Sequence, residues 1–373
     1  MAISYTTKLY VFCLLVALSL PGATGPTFAA SEAVSTTQRS VKALFSQTKP
    51  QCIGRYLIDV PASFNNQSGM VVFIDDFKIE SQLQYRPAFE QKITRREKEL
   101  NDISNNPENT PDNAPFIKQI IRLPDNNGVI FDRNISGEDD LERMLEAYSY
   151  VNGITFTITT KILDLSAEKY ASRKKTYLNA GFSEAQTNDK PAKLAALQSL
   201  ISRLSGRKDE DIPVGPGLCI PDGFIKDDGR PHEEKLTFRY SNDDFVFGLE
   251  IDNTEKGSSD TLLSRSDDIN EALKLSGYKF SISKKALSPG GIPAQQWLFG
   301  GKQNITNEKT SQNETVDIYD FMLFANEEIA SPSHPWLSVG LNSEYKHTSY
   351  SQAQMIEIWD KLVSTLRYRP GAF

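Results

Sequence analysis

A short sequence pattern occurs twice in this chain. QCIGRYLIDV spans residues 51–60 and LCIPDGFI spans residues 218–225, and in both a hydrophobic pair follows five and six residues after the cysteine. A second marker is also repeated, because LISRL at 200–204 and LVSTL at 362–366 both lie on amphipathic helical patterns. We therefore predict a duplication, in which two related domains begin with the same entry strand.

The hydrophobic pattern in each half predicts strands, a helix, further antiparallel strands and a closing helix. Runs of hairpins with helices at their ends indicate two α+β domains, each an antiparallel β-sheet with helices packed on it. The predicted strands cover 70–80, 116–123, 128–135, 144–151, 154–162, 234–242, 244–252, 278–287, 294–302, 316–326 and 336–342. The predicted helices cover 86–103, 167–181, 191–204, 261–277 and 351–368.

Composition and punctuation predict the domain boundaries. SGRKDEDIPVGPG at 205–217 is charged and then rich in Pro and Gly, which is typical of an exposed linker. The predicted segments are 1–30 for a signal peptide, 31–50 for an N-terminal segment, 51–206 for the first domain, 207–217 for the linker and 218–373 for the second domain.

The N-terminus has the features of a secretory signal peptide. Lys8 precedes the apolar run LYVFCLLVALSL at 9–20, and small residues follow it. The run is shorter than the roughly 20 residues that span a bilayer, so an uncleaved anchor is the weaker alternative. The sequence predicts a protein exported through a signal peptide, without a stable membrane span after cleavage.

Removal of that peptide would leave Cys52 and Cys219, the two cysteines of the repeated pattern. In an oxidising compartment a pair of thiols tends to form a disulfide. The alternative is two buried free thiols that act as small hydrophobic side chains.

The sequence shows no catalytic or metal-binding motif. His232, His334 and His347 are the only histidines, and none has a second ligand at metal-site spacing. Gly300-Gly301-Lys302 follows a strand with no helix after it, which favours a hairpin turn over a phosphate loop. We predict no cofactor, no metal and no enzymatic activity.

The charge balance excludes a nucleic-acid partner. The chain has 48 acidic and 41 basic residues, a net charge of −7 and no long basic run. Aromatic residues on predicted strands of the second domain are therefore the candidates for contacts with a protein partner, although core packing is the alternative for most of them. These candidates are Trp297, Phe299, Tyr319 and Trp336.

Both cysteine-containing stretches, together with LLSRS at 262–266, resemble two-domain immunity proteins paired with phospholipase effectors of the type VI secretion system. The resemblance covers about residues 40–370. It implies a periplasmic protein that grips a cognate lipase toxin with two domains and blocks lipid access. The alternatives are a periplasmic binding or envelope module without a toxin partner, and a secreted hydrolase that uses a carboxylate pair.

Overall fold

The fold is built around a long antiparallel sheet. A computed structural model describes residues 40–66, 70–103, 108–306, 311–343 and 348–373, so the predicted signal peptide lies outside the described residues. These residues belong to one compact unit. The combination of antiparallel strands and helices confirms the predicted α+β class.

The elements of the first half follow the predicted order closely. In chain order they are α1 (Val41–Leu44), β1 (Thr48–Ile53), β2 (Tyr56–Pro61), β3 (Asn65–Asn66), β4 (Val71–Ile74), β5 (Phe77–Leu83), α2 (Arg86–Ile103), β6 (Ile117–Arg122), β7 (Gly128–Asn134), β8 (Glu142–Val151), β9 (Ile154–Leu163), α3 (Ala171–Asn179), α4 (Glu184–Thr187), α5 (Lys190–Arg203) and β10 (Leu204–Gly206).

The second half repeats this arrangement without the short helices. Its elements are β11 (Gly217–Ile220), β12 (Gly223–Lys226), β13 (Glu234–Ser241), β14 (Val246–Asp252), α6 (Ser266–Ser276), β15 (Lys279–Leu287), β16 (Ala294–Thr306), β17 (Asn313–Ala325), β18 (Trp336–Asn342), α7 (Gln352–Val363) and β19 (Arg367–Tyr368). Single 3-10 turns lie at Pro111–Asn113, Pro124–Asn126, Glu168–Tyr170 and Pro289–Gly291.

Local sequence explains where these elements begin and end. The Ser351 hydroxyl accepts from the backbone of Gln354, whose side chain returns a bond to Ser351, so a capping box starts α7. Gly277 ends α6 in the left-handed region with φ 71°. Asn152 and Gly153 both have positive φ, as the tight turn between β8 and β9 requires.

Several predicted elements differ from the structure. The predicted helix 351–368 ends at Val363, and its last two residues form β19. The predicted strand 70–80 is a hairpin of β4 and β5, because Asp75 takes a positive φ of 51° and turns the chain. Gly300 and Gly301 lie inside β16 and not in a hairpin turn. A side chain at Gly300 would meet the ring of Phe280 on the neighbouring strand, and one at Gly301 would meet the Tyr278 carbonyl.

The two halves have the same strand order. The first half runs β4-β5-β9-β8-β7-β6 and the second runs β13-β14-β18-β17-β16-β15, so each position has its counterpart. The first strands of the two orders, β4 and β13, pair antiparallel and join the halves into one sheet. This shared topology supports the inference that the chain arose by duplication.

The entry hairpins are exchanged between the halves. The hairpin of β1 and β2, from the first half, pairs with β19 at the end of the second half. The hairpin of β11 and β12, from the second half, pairs with β10 at the end of the first. Each half therefore completes a small three-stranded sheet of the other.

The main hydrophobic core lies on the face of the sheet covered by α5, α7 and the entry hairpins. Leu197 and Leu200 of α5 and Trp359 of α7 are buried in this core. The opposite face has two smaller cores, one between α2 and β7–β8 around Phe131 and one beneath α6 around Trp297.

Candidate functional site

Among the described residues, no helix covers the centre of the sheet on one of its two faces. At one end, Arg96 of α2 contacts Glu146 of β8, and at the other end the rings of Phe324 and Trp336 lie 5.5 Å apart beside the core under α6. Directly paired residues share a face. An unbroken register links the two ends through Glu146, Thr159, Lys78, Phe73, Lys235, Asp252 and Trp336.

Both helices therefore stand on the same side of the sheet, and six strands lie between β8, under α2, and β17, beside α6. We call this side of β5, β4, β13, β14 and β18 the central face. Val71 and Phe73 expose 38% and 36% of their surfaces there, and Trp336 is half-buried. Apolar side chains beside a polar rim are the usual composition of a protein-binding surface.

Charged side chains of the central face are only partly paired. Lys78 binds Glu80 at 2.6 Å and Lys235 binds Asp252 at 3.2 Å. The side chains of Arg239 and Glu250 make no hydrogen bond or ion pair with another residue that the structure describes. Burial, reinforced by the charge of Asp252, raises the pKa of Glu250 above its ordinary value. A cation from a partner would reverse that shift.

Behind the central face, the two entry hairpins meet at a seam. Cys52 and Cys219 form a disulfide whose Cα atoms lie 5.7 Å apart, within the usual range. Gly54 and Cys219 also exchange backbone hydrogen bonds of 2.9 Å in both directions. The positive φ of Gly54 and the close Ile251 side chain leave no room for a larger residue there.

Two arginines, Arg369 buried and Arg207 mostly buried, hold the linker against this seam. The Arg207 guanidinium donates to the carbonyl oxygens of Cys52, Lys208, Asp209, Asp211, Ile220 and Gly223. Arg369 donates to the carbonyl oxygens of Pro213, Gly215 and Gly217. Burial lowers the pKa of both guanidinium groups, and the charge of Arg55 lowers that of Arg369 further. The linker side chains are mostly exposed, but its backbone is fixed.

Arg55 ties the first entry hairpin to the second half. It binds Glu234 at 2.5 Å and Asp227 at 3.0 Å, and it donates to the carbonyl oxygen of Ala372. Burial opposes the positive charge, but the hydrogen bonds to the two carboxylates outweigh it and raise the pKa of Arg55. The relative position of the two halves is therefore fixed by covalent, ionic and backbone contacts together.

The buried acids of the first half are neutralised by basic side chains. Glu146 accepts from Arg96 and Tyr148, each at 2.6 Å, and from Arg133. Burial alone would raise the pKa of Glu146, but these partners lower it to about 2. Asp132 binds Arg143 at 2.7 Å and Lys190 at 2.8 Å. Glu146 therefore stabilises the fold as an anion, which is the opposite of a proton-donating acid.

The structure buries three of the four aromatic residues that we predicted as partner contacts. Trp297 and Phe299 are stacked 5.4 Å apart under α6, and Tyr319 lies in the main core beside Phe321. These three are core residues, which corrects the expectation of a surface role. Trp336 is the one that reaches the central face, and its role in binding stays a prediction.

Histidines contribute no metal site among the described residues. His232 lies 2.8 Å from Asp75 and 3.1 Å from Asp228, and His334 contacts Ser331 and Ser333 in a turn. His347 lies outside the described residues. In the described parts of the chain, no helix combines the length and the apolar character needed to cross a membrane.

Sequence reasoning missed the central face and the arginine clamps, which are Arg207 and Arg369 with the linker carbonyl oxygens that they bind. The clamps had a signal, because Leu204 and Leu366 of the repeated marker are each followed three residues later by Arg207 and Arg369. The central face had none, since its composition depends on which strands become neighbours across the two halves.

Comparisons with known proteins agree with this architecture. No curated protein matches the sequence. A chain in the crystal structure of the Tle4-Tli4 complex is 17% identical, with a TM-score of 0.64 over 88% of this chain and 99% of that one. The apo structure of immunity protein TplEi of the T6SS from Pseudomonas aeruginosa is 18% identical, with a TM-score of 0.64 over 87% of this chain and 98% of that one.

Family models identify both halves. The model of the Tle cognate immunity protein 4 N-terminal domain matches residues 49–207, and that of the C-terminal domain matches residues 211–371. Together they account for most of the chain, so this protein belongs to the Tle cognate immunity protein 4 family of two-domain immunity proteins for type VI secretion lipase effectors.

Proposed function

We propose that the protein inhibits a cognate type VI secretion phospholipase by forming a stoichiometric complex, without catalysis of its own. Its family supports the class of partner. A protein of the same fold occurs in the Tle4-Tli4 complex. The observation that carries the proposal is the central face, which both halves build and which two helices flank.

The size of the central face indicates how a partner would bind. Five strands spaced about 4.8 Å apart and about six residues long give a floor of roughly 24 by 20 Å, or about 480 Å². A stable complex buries about 800 Å² on each partner. The floor alone is too small, so the exposed sides of α2 and α6 must contribute, and the effector is gripped by both halves.

Rigidity makes this grip effective. Binding costs less when the interacting surfaces are already in place, and most affinity differences appear in the dissociation rate. The disulfide, with Arg55, Arg207 and Arg369, holds the two halves in one arrangement before the effector binds. The helices α2 and α6 and the central face between them are therefore already in place. A long-lived complex of this size over the lipid entrance would exclude phospholipid from the effector.

We place this activity in the periplasm. Support comes from the predicted signal peptide at 1–30 and from the Cys52–Cys219 disulfide, since disulfides persist in oxidising compartments.

The test is a titration of phospholipase activity. The mature chain is co-purified with the lipase encoded beside its gene, and activity is measured at increasing molar ratio of the two proteins. We expect activity to reach zero near one equivalent. Undiminished activity with no complex would leave a periplasmic binding module with an unknown ligand.

A matched pair of variants tests the surface. Phe73→Asp places a charge on the central face, whereas Ile120→Asp changes a similarly exposed residue on β6 at the sheet edge. We expect Phe73→Asp to weaken binding at least about tenfold and Ile120→Asp to leave it unchanged. Equal effects of the two variants would place the interface elsewhere.

A further inference from the structure

Two glycines lie on β14 and β18, the two strands of the central face nearest α6, and no contact among the described residues explains them. Gly248 of β14 and Gly340 of β18 are directly paired. Neither has a positive φ, and a Cβ would meet only a backbone oxygen, at 3.6 Å for Gly248 and 3.9 Å for Gly340. Alanine would fit at both positions without displacing any atom.

Every other described glycine of ordinary φ has a steric reason. A Cβ would approach another atom to between 2.2 and 2.8 Å at Gly206, Gly223, Gly257, Gly300 and Gly301. Glycine inside a strand weakens the strand and often marks a place where another group approaches closely. The pair therefore costs stability without a gain in contacts among the residues that the structure describes.

The chain shows what normally covers a strand glycine. The ring of Phe280 lies over Gly300, that of Phe156 over Gly223 and that of Phe224 over Gly217. Such aromatic cover compensates for the missing side chain. Across the sheet, the neighbours of Gly248 and Gly340 are Arg239 and Met322, so no ring of a directly paired residue covers them.

We propose that the backbone surface of the paired Gly248 and Gly340, here called the seat, binds an aromatic side chain of the effector. An acidic and a basic group of the effector flank that side chain. The proposal rests on the proposed function and names one contact on the central face, beside α6. Three strand spacings separate Arg239 from Met322, about 14 Å, which leaves room for one ring lying flat on the backbone.

The charges beside the seat define the partner further. Arg239 pairs across from Gly248, and Glu250 lies two residues farther along β14 on the same face. Diagonal neighbours of this kind are about 7–8 Å apart, yet the two side chains make no ion pair with each other or with another described residue. An acidic group of the effector beside Arg239 and a basic group beside Glu250 would give each of these side chains an ion-pair partner.

The test uses Gly248→Ala, Gly340→Ala and the double variant in the otherwise unchanged mature chain. The probe is the lipase encoded beside the gene, and both affinity and inhibition are measured. Ala286→Val is the control, since it adds similar bulk at an exposed position of the edge strand β15. Arg239→Ala tests the flanking charge.

We expect each glycine variant to melt at or slightly above the wild-type temperature, because alanine is the better strand residue. We expect the double variant to bind at least about tenfold more weakly and the control to bind normally. Arg239→Ala should weaken binding and reduce its dependence on salt.

Unchanged affinity of the double variant, while the wild type inhibits the lipase, would overturn the seat and leave the proposed function intact. A melting temperature lowered by several degrees would also overturn it, because the glycines would then serve folding. A wild type that neither binds nor inhibits the lipase would refute the proposed function and the seat with it.

Discussion

Removal of the disulfide should destabilise the protein strongly and change its structure little. Cys52 and Cys219 close a loop across 167 residues. The chain-entropy estimate for a loop of that length is about 5 kcal/mol, and measured disulfides typically contribute about 2–4 kcal/mol. The backbone bonds between Gly54 and Cys219 do not depend on the disulfide, so we expect them to persist when it is reduced. We therefore expect a loss of about 3–5 kcal/mol in the free energy of unfolding.

The assay is urea unfolding of the oxidised and reduced protein and of the double variant Cys52→Ala/Cys219→Ala. Alanine is chosen because both positions are buried and a serine hydroxyl would lack a partner. The reduced protein and the double variant should agree in stability, keep the native circular dichroism and bind the effector more weakly. A difference below about 1 kcal/mol between oxidised and reduced protein would refute the argument that the disulfide fixes the two halves.

Two further predictions concern the buried charges. Glu146→Gln should lower stability at pH 7 by about 3 kcal/mol, because the folded pKa of about 2 lies below the ordinary 4.5. The stabilisation by the Glu146 carboxylate is complete above pH 4.5 and disappears as the pH falls toward 2. The free energies of unfolding of the two proteins, measured in urea, should therefore converge in acid. Arg369→Met should cost about 3 kcal/mol by leaving the carbonyl oxygens of Pro213, Gly215 and Gly217 without their donor, and limited proteolysis should then cut the linker faster. Equal cleavage rates would show that the clamp does not hold the linker.

Much of the fold was predictable from the sequence because its information is local. The helices 86–103 and 191–204 were predicted from the spacing of apolar residues, and the Asn152-Gly153 turn from its conformational preference. The errors arose where a turn or an adjacent strand determines the structure of a segment. The Asp75-Asp76 turn splits one apparent strand, and Phe280 on the adjacent strand explains Gly300 within β16.

The candidate site was less predictable, because it depends on the pairing of β4 with β13 across about 160 residues of chain. Three of the four aromatic candidates are buried. The sequence does not show that α6 covers the face containing Trp297 and Phe299. The useful signal was the unexplained glycine pair, which only the strand register brings together.

The exchanged entry hairpins predict that neither half folds alone. A fragment of residues 38–210 keeps β2 but lacks its partner β19, and its β10 lacks β12. The edge of β4 that pairs with β13 would also be exposed, and unpaired edges promote aggregation.

The experiment expresses 38–210 and 211–373 separately and together. Each fragment alone should lack a cooperative thermal transition, whereas the co-expressed pair should join through the Cys52–Cys219 disulfide, melt cooperatively and inhibit the lipase. A soluble 38–210 fragment with its own sharp transition would show that the halves are independent domains. The common seam would then be a later contact between finished folds, and the repeated cysteine pattern would no longer explain why the two halves act as one rigid grip.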